Sequence, residues 1–287
     1  MGTRAVIAPL PDFLIEEAVA RALKEDLGDA GDITTNAVVP ANRQARAVIA
    51  ARKPGVIAGA EIARAAFRLV DPTLSVRVEK GDGARIAARE TSISIEGRAR
   101  SILTAERVAL NFMGHLSGVA SATAALVEAA QGTTAKIVCT RKTTPGLRAF
   151  EKHAVRCGGG FNHRFGLYDA AMIKDNHIAA AGGVAPALKA ARAAFGHMVK
   201  VEIEVDSLAQ LEEALREGAD VVLLDNMAPD DLKRAVAITN GRAVLEASGN
   251  VTVSTVRAIA DAGVDCISSG WITHSAPSLD LGLDFLN

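Results

Sequence analysis

The period of the apolar positions changes along this chain. Residues 13–27 (FLIEEAVARALKEDL) repeat at helical spacing, with Asp12 placed to cap the helix and the Gly28 and Gly31 region to stop it. Alternation then takes over. Segments 43–53 (RQARAVIAARK), 74–80 (LSVRVEK) and 90–97 (ETSISIEG) read as antiparallel, half-exposed strands, with Pro54-Gly55 and Gly81-Asp82-Gly83 as turns. From 103 to 130 the spacing is helical again. Leu103, Val108, Leu110, Met113 and Leu116 lie along one side, and Gly114 and Gly118 permit close packing.

After that helix one unit recurs: a short apolar run ending in polar residues, then an Ala-rich helical stretch. The runs begin at 135 (AKIVCTRK), 170 (AAMIKDNH), 199 (VKVEIEVD), 219 (ADVVLLDN), 242 (RAVLEASGN) and 264 (VDCISSG), with helices such as 207–218 and 252–263 between them. Their spacing fits βαβ units, whose parallel strands close into a barrel or stack as an open sheet. A barrel is favoured because each run ends in reactive residue types, as at the C-terminal mouth of a β/α barrel. Six strands are clear, so an incomplete barrel fits as well as an eight-stranded one.

Composition narrows the function classes. The chain is 49% hydrophobic and 23% charged, with a formal net charge of -1, which excludes an acidic disordered tail and a wholly basic nucleic-acid module. With aromatics at only 3%, the core must be built from Ala, Val, Leu and Ile. No continuous apolar run approaches the roughly 18 residues of a membrane helix. The first residues lack a signal-peptide pattern, so a cytoplasmic location is expected. Cys139, Cys157 and Cys266 lie far apart without a CxxC, and no histidine pair has zinc-ligand spacing.

Candidate chemistry gathers at the run ends. Lys200, Glu202 and Glu204 share one face of a strand that reads as buried, where they require partners, a ligand or a metal. A structural ion-pair network is the competing reading, and it is preferred for Glu202. Asp225 ends the next strand, and two carboxylates on neighbouring strand ends suit Mg²⁺ or ribose hydroxyls. Between 136 and 177 stand eight Lys or Arg against three Asp or Glu, a local balance of +5. Arg141, Lys142, His163, Arg164 and Lys174 all fall at run ends or in the following loops, and arginine suits bidentate capture of carboxylate or phosphate. EASGN (246–250) and SSGW (268–271) place Ser and Gly directly after a strand, where backbone N–H groups can hold phosphate. Cys139 reads as core filler rather than a nucleophile. Neither a dinucleotide fingerprint nor a Walker A sequence occurs.

The block TRKTTPGLRAFEKHAVRCGGGFNHRFGLYDAAMIKDNHI (140–178) closely resembles the signature region of the quinolinate phosphoribosyltransferases. GDITT (31–35), ERVALNF (106–112), VEIEV (201–205), LLDNM (223–227), EASGN and ISSGWITHSAPSLDLGLD (267–284) match in the same order, so the resemblance spans nearly the whole chain. It implies an α/β sandwich domain at 1–115, joined by the tail 276–287, and an open α/β barrel of about seven strands at 116–275. It also implies transfer of phosphoribosyl from 5-phosphoribosyl 1-diphosphate to quinolinate, with release of pyrophosphate and CO₂ in the presence of Mg²⁺.

By that resemblance Arg141, His163, Arg164 and Lys174 hold the two pyridine carboxylates, and Lys142 faces the diphosphate or the 2-carboxylate. Glu204 and Asp225 serve the ribose hydroxyls and Mg²⁺, and Ser248, Gly249 and Gly270 the 5-phosphate. Arg107 matches an arginine inserted into the partner subunit's site, which implies a homodimer with shared sites, with no nucleic acid or membrane involved. Trp271 and His153 depart from the family pattern, which commonly has a small residue and Tyr there. The related molybdenum-transport-associated proteins and a noncatalytic anion-binding barrel are the competing readings. The complete set of cations disfavours the first, and the carboxylates of Glu204 and Asp225 the second.

Overall fold

Asp12 begins the first helix rather than capping it. In the computed structural model, which describes residues 7–286, α1 (Asp12–Leu27) has Pro11 at its N-cap position and no side-chain cap. Its buried residues Ile15, Ala18, Val19 and Leu23 keep the three-to-four spacing of one helical face. Gly28, at φ 50°, ends it as expected. The cap absent from α1 appears at α2 (Ile33–Val38), where the Thr35 N–H donates to Asp32 Oδ1 at 2.8 Å.

The alternating segments form β1 (Gln44–Ala51), β2 (Gly55–Val56), β3 (Ser75–Val78), β4 (Arg85–Ile86) and β5 (Thr91–Arg98), with α3 (Ala60–Val70) between β2 and β3. β1 and β3 pair antiparallel with β5, and β2 pairs with β4. Asp71, just past α3, ties three of these elements together. Its fully buried carboxylate accepts from Thr73, from Arg98 at the end of β5 and from Ser101. These donors hold its pKa far below the ordinary carboxylate range.

Ser101 belongs to α4 (Ala99–Ala129). This helix is long and apolar enough to cross a membrane by length and composition, contrary to the reading of short apolar runs. Small residues raise its average apolarity without an unbroken apolar run, and 67% of its most apolar stretch is buried inside the protein. Gly118 is needed where Pro277 crosses, since a Cβ there would lie 2.3 Å from the Pro277 carbonyl oxygen.

The repeated units supply β6 (Lys136–Val138), β7 (Ala171–Ile173), β8 (Val201–Val205), β9 (Val221–Asp225), β10 (Val244–Ser248) and β11 (Cys266–Ser268). They form one parallel sheet in the order β6, β11, β10, β9, β8, β7, curved as a barrel left open between β6 and β7. A single bridge from Val138 to Phe161 adds the rudiment of a further strand at the β6 edge. The crossovers carry α6 (Asp175–Ala181) and α7 (Val184–Ala194), then α8 (Leu208–Arg216), α9 (Pro229–Thr239) and α10 (Val256–Asp261). The short α11 (Trp271–His274) follows β11. Outward residues such as Ile203, Val222, Leu224 and Ile267 are buried, as both faces of a parallel sheet must be.

The final strand β12 (Leu281–Leu286) pairs antiparallel with β1, completing a sheet ordered β12, β1, β5, β3. The chain thus divides into two compact units. One holds residues up to Ala122, Ala149–Gly159 and the segment from Ala276; the other holds Thr123–Arg148 and Gly160–Ser275. The family resemblance places the boundary at 115/116. In the structure the division falls within α4, and the helix α5 (Arg148–Cys157), between β6 and β7 in sequence, groups with the first unit.

Candidate active site

The C-terminal ends of the parallel strands enclose a cavity of about 470 Å³. Strand register explains its lining. Asp225 pairs with Ser248 and Ser248 with Ser268, so these three stand level at the ends of β9, β10 and β11. One residue pair deeper on the same inward face lie Leu223 and Glu246, level with Glu204 of β8. Loops complete the wall with Thr140, Arg141 and Lys142 after β6, His163 and Arg164 before β7, and Lys174 just after β7.

The cations are crowded. Burial, and then the charge of Arg141, push the Arg164 guanidinium below its ordinary pKa. Two guanidiniums lining one cavity are stabilised by a bound anion. Lys174 Nζ donates to Glu204 Oε2 at 2.5 Å, and Arg164 Nη1 to the Ala170 carbonyl at 3.0 Å. Lys142 is anchored by its backbone, whose carbonyl accepts from Thr273 Oγ1 at 2.7 Å. Its exposed side chain is thereby presented at the mouth.

Ser248 lines the cavity, and Gly249 follows it at φ 103°. A Cβ on Gly249 would stand 2.1 Å from Asn226 Oδ1, so conformation and space both require glycine. Asn226 also donates its backbone N–H to the Ser248 carbonyl at 2.9 Å and its side-chain Nδ2 to Asp225. The loop after β9 therefore braces the loop after β10. Gly270, beyond β11, lies close to Lys142, with 3.0 Å from an added Cβ to the lysine Cδ. Gly249 and Gly270 are not among the cavity-lining residues. Neither is Arg107, which is on α4 in the first unit with a largely exposed side chain.

Two cavity-lining residues, His163 and Glu246, join the buried Glu202 in a cluster that the sequence pattern only partly indicates. His163 Nε2 lies 2.8 Å from Glu202 Oε2, and His163 Nδ1 accepts the Arg164 N–H at 2.8 Å. These bonds place the imidazole proton on Nε2 and direct it at Glu202. Glu246, also buried, stands 3.9 Å from the same Nε2. Burial, and then Glu202, push the Glu246 carboxyl up to about 7. The structural reading of Glu202 fits this buried bond. Lys200, by contrast, does not join it. It precedes β8 at the strand's other end, exposed, and pairs with Asp220 at 3.0 Å. Glu246, Asn226 and Ser268, within EASGN, LLDNM and SSGW, line the cavity in addition to the residues expected from the sequence. Alternation within β10 would have placed Glu246 on the same face as Ser248.

Cys139 is fully buried and donates its thiol to Asn162 Oδ1 at 3.4 Å, in keeping with a core residue. Trp271 opens α11 and is partly exposed. His153 lies in the first unit, where it meets Asp82.

Two family models cover most of the chain: the N-terminal domain of quinolinate phosphoribosyl transferase matches residues 32–117, and the C-terminal domain matches 119–284. The chain belongs to the quinolinate phosphoribosyltransferase family. It is 44% identical over 260 residues to a probable carboxylating nicotinate-nucleotide pyrophosphorylase of Bacillus subtilis, covering 91% of this chain and 89% of that one. Identity to the nicotinate-nucleotide pyrophosphorylase of Mycobacterium leprae is 45% over 278 residues, with 93% and 96% covered. The solved nicotinate-nucleotide pyrophosphorylase of Francisella tularensis superposes with a TM-score of 0.93 at 38% identity, covering 99% of this chain and all of that one. Membership of this family disfavours both competing readings, the molybdenum-transport-associated protein and the noncatalytic barrel.

Proposed function

We propose that this quinolinate phosphoribosyltransferase forms nicotinate mononucleotide from quinolinate and 5-phosphoribosyl 1-diphosphate, releasing pyrophosphate and CO₂ in NAD biosynthesis. The observation that carries the reading is that Arg141, Lys142, Arg164 and Lys174 line one cavity at the strand ends. That surplus of cations fits a planar diacid beside a diphosphate.

In this reading Arg141, Arg164 and Lys174 hold the two pyridine carboxylates. His163 borders them, its ring fixed by Glu202 and by the Arg164 amide. Lys142 takes charge from the departing diphosphate, and Ser248, Gly249 and Gly270 receive the 5-phosphate. As the ribose C1–O bond breaks, its electron pair leaves with pyrophosphate and positive charge builds at C1. Glu204 and Asp225 stabilise that charge. The ring nitrogen bonds to C1 and becomes cationic. The electrons of the bond from C2 to its carboxylate then collapse onto the ring, CO₂ departs, and C2 takes a proton. Transfer before decarboxylation follows, because only the quaternary nitrogen makes the ring an adequate electron sink.

Mg²⁺ fits the donor set. The carboxylate oxygens of Glu204 and Asp225 are hard ligands lining the cavity, and they would repel phosphate without a cation between. When bound there, the ion neutralises diphosphate charge. We further place this chain in a homodimer in which Arg107, exposed on α4, enters the partner's site. The deciding assay is CO₂ release from carboxyl-labelled quinolinate. Release should require 5-phosphoribosyl 1-diphosphate and Mg²⁺ together, and its absence under all conditions would overturn the assignment.

A further inference from the structure

A second group of reactive side chains lies in the first unit, apart from any residue assigned to the transfer reaction. His153 and Cys157 are four residues apart on α5, so they project from one face of the helix. Asp82 reaches the same point from the Gly81-Asp82-Gly83 turn between β3 and β4. A ring nitrogen of His153, Cys157 Sγ and a carboxylate oxygen of Asp82 all lie within 4.8 Å of one another.

We propose that Asp82, His153 and Cys157 form a binding site for a zinc-type divalent cation. The donor set selects the class of ion. Thiolate with imidazole and one carboxylate is a ligand set of zinc and its cobalt and cadmium analogues, whereas Mg²⁺ and Ca²⁺ require oxygen donors. The geometry is near what such an ion needs. In a tetrahedral zinc site with bonds of about 2.0 to 2.3 Å, neighbouring donors stand roughly 3.3 to 3.7 Å apart. His153 Nε2 and Asp82 Oδ2 are 2.7 Å apart, so they must open by roughly an ångström or less, while the thiol, within 4.8 Å of both, closes by about 1.5 Å at most. Side-chain rotations of ordinary size accomplish this.

The backbone already supports the arrangement. Asp82 Oδ1 accepts the Ala60 N–H at 2.9 Å, which orients the carboxylate and leaves Oδ2 directed at His153. The His153 side chain is only 8% exposed and that of Asp82 17%, so the aspartate is the more accessible side of the cluster. His153 and Asp82 already join α5 to the turn through their hydrogen bond, so the ion would stiffen an existing contact.

The test uses the full-length protein, stripped with a chelator and titrated with Co²⁺, then with Zn²⁺ in competition. One Co²⁺ per chain should bind, with the sulfur-to-cobalt charge-transfer band of a single thiolate and the visible bands of tetrahedral cobalt, and Zn²⁺ should displace it. Cys157→Ala should abolish the charge-transfer band. His153→Gln should weaken binding about a hundredfold or more, as loss of one ligand does, while phosphoribosyl transfer measured with Mg²⁺ is unchanged. Cadmium NMR of the unmutated chain reads sulfur coordination independently, should Cys157→Ala fold poorly. The proposal is overturned if no sulfur-bound metal forms, if the band survives Cys157→Ala and so arises from Cys139 or Cys266, or if His153→Gln binds as tightly as the parent.

Discussion

Arg164 carries its charge against both its partial burial and the presence of Arg141. A dicarboxylate relieves both, so truncation should be felt selectively. Arg164→Ala is expected to weaken quinolinate binding by about 2 to 5 kcal/mol, roughly 30-fold to several thousand-fold, and the more exposed Arg141→Ala by less. Binding of 5-phosphoribosyl 1-diphosphate should change far less in both, which calorimetry on each substrate alone will show. Equal losses for the two substrates would refute the carboxylate assignment. Glu246 presents the opposite case, an acid that favours its proton. Its carboxyl rises from an ordinary 4.5 to about 7 in the folded protein, so the folded state binds a proton that the unfolded chain releases. The associated stability is complete below about pH 4.5 and is lost as the pH rises toward 7. Urea unfolding between about pH 5 and pH 8 should therefore show a decline, on the order of 2 to 3 kcal/mol from this group, that Glu246→Gln removes. An unchanged decline in the variant would show that Glu246 is ionised throughout.

At the scale of elements, the site depends on loops bracing one another at the strand ends. β9 and β10 are in register through Asp225 and Ser248, and the loops that follow them interlock through Asn226. Gly249 is the point of closest approach. Gly249→Ala adds a methyl group where φ is 103° and Asn226 Oδ1 is 2.1 Å away, so the loop must shift. Strain of this kind costs about 1 to 3 kcal/mol. The kinetic result should be a larger rise in KM for 5-phosphoribosyl 1-diphosphate than for quinolinate, since Ser248 and Gly249 are assigned to phosphate and the arginines lie on other loops. A parallel rise in both would place the 5-phosphate elsewhere.

For the whole molecule, the question is whether one chain completes its own site. Arg107 lies on α4, exposed, outside the set of cavity-lining residues. If it acts in the partner's site, Arg107→Ala and Glu204→Ala should each be nearly inactive. After equal mixing and exchange, half the dimers pair one variant with the other, and each has one intact site of two. About a quarter of the parent activity should return, because a two-fold dimer makes the exchange reciprocal. Exchange verified by mass spectrometry with no recovered activity would show that the sites are not shared.

The sequence by itself determined the class of fold, since period-two alternation in the first third and recurrent apolar runs afterwards follow directly from strand and βαβ geometry. It also placed Arg141, Lys174, Glu204, Asp225 and Ser248 at one end of the sheet, because side chains at the C-terminal ends of parallel strands share that end whatever the packing. Tertiary structure decided which charges meet. Lys200 and Glu204 are neighbours in the alternation, yet they serve opposite ends of β8, one paired with Asp220 and the other with Lys174. The proximity of His163, Glu202 and Glu246, from a loop and two strands, depends on sheet order, which no local pattern encodes. The same holds for Asp82 and α5. Their meeting required the helix Arg148–Cys157 to leave the run of barrel units and pack in the first unit, a choice made by its buried face, Phe150, Ala154 and Val155, and visible only once its packing partners are known.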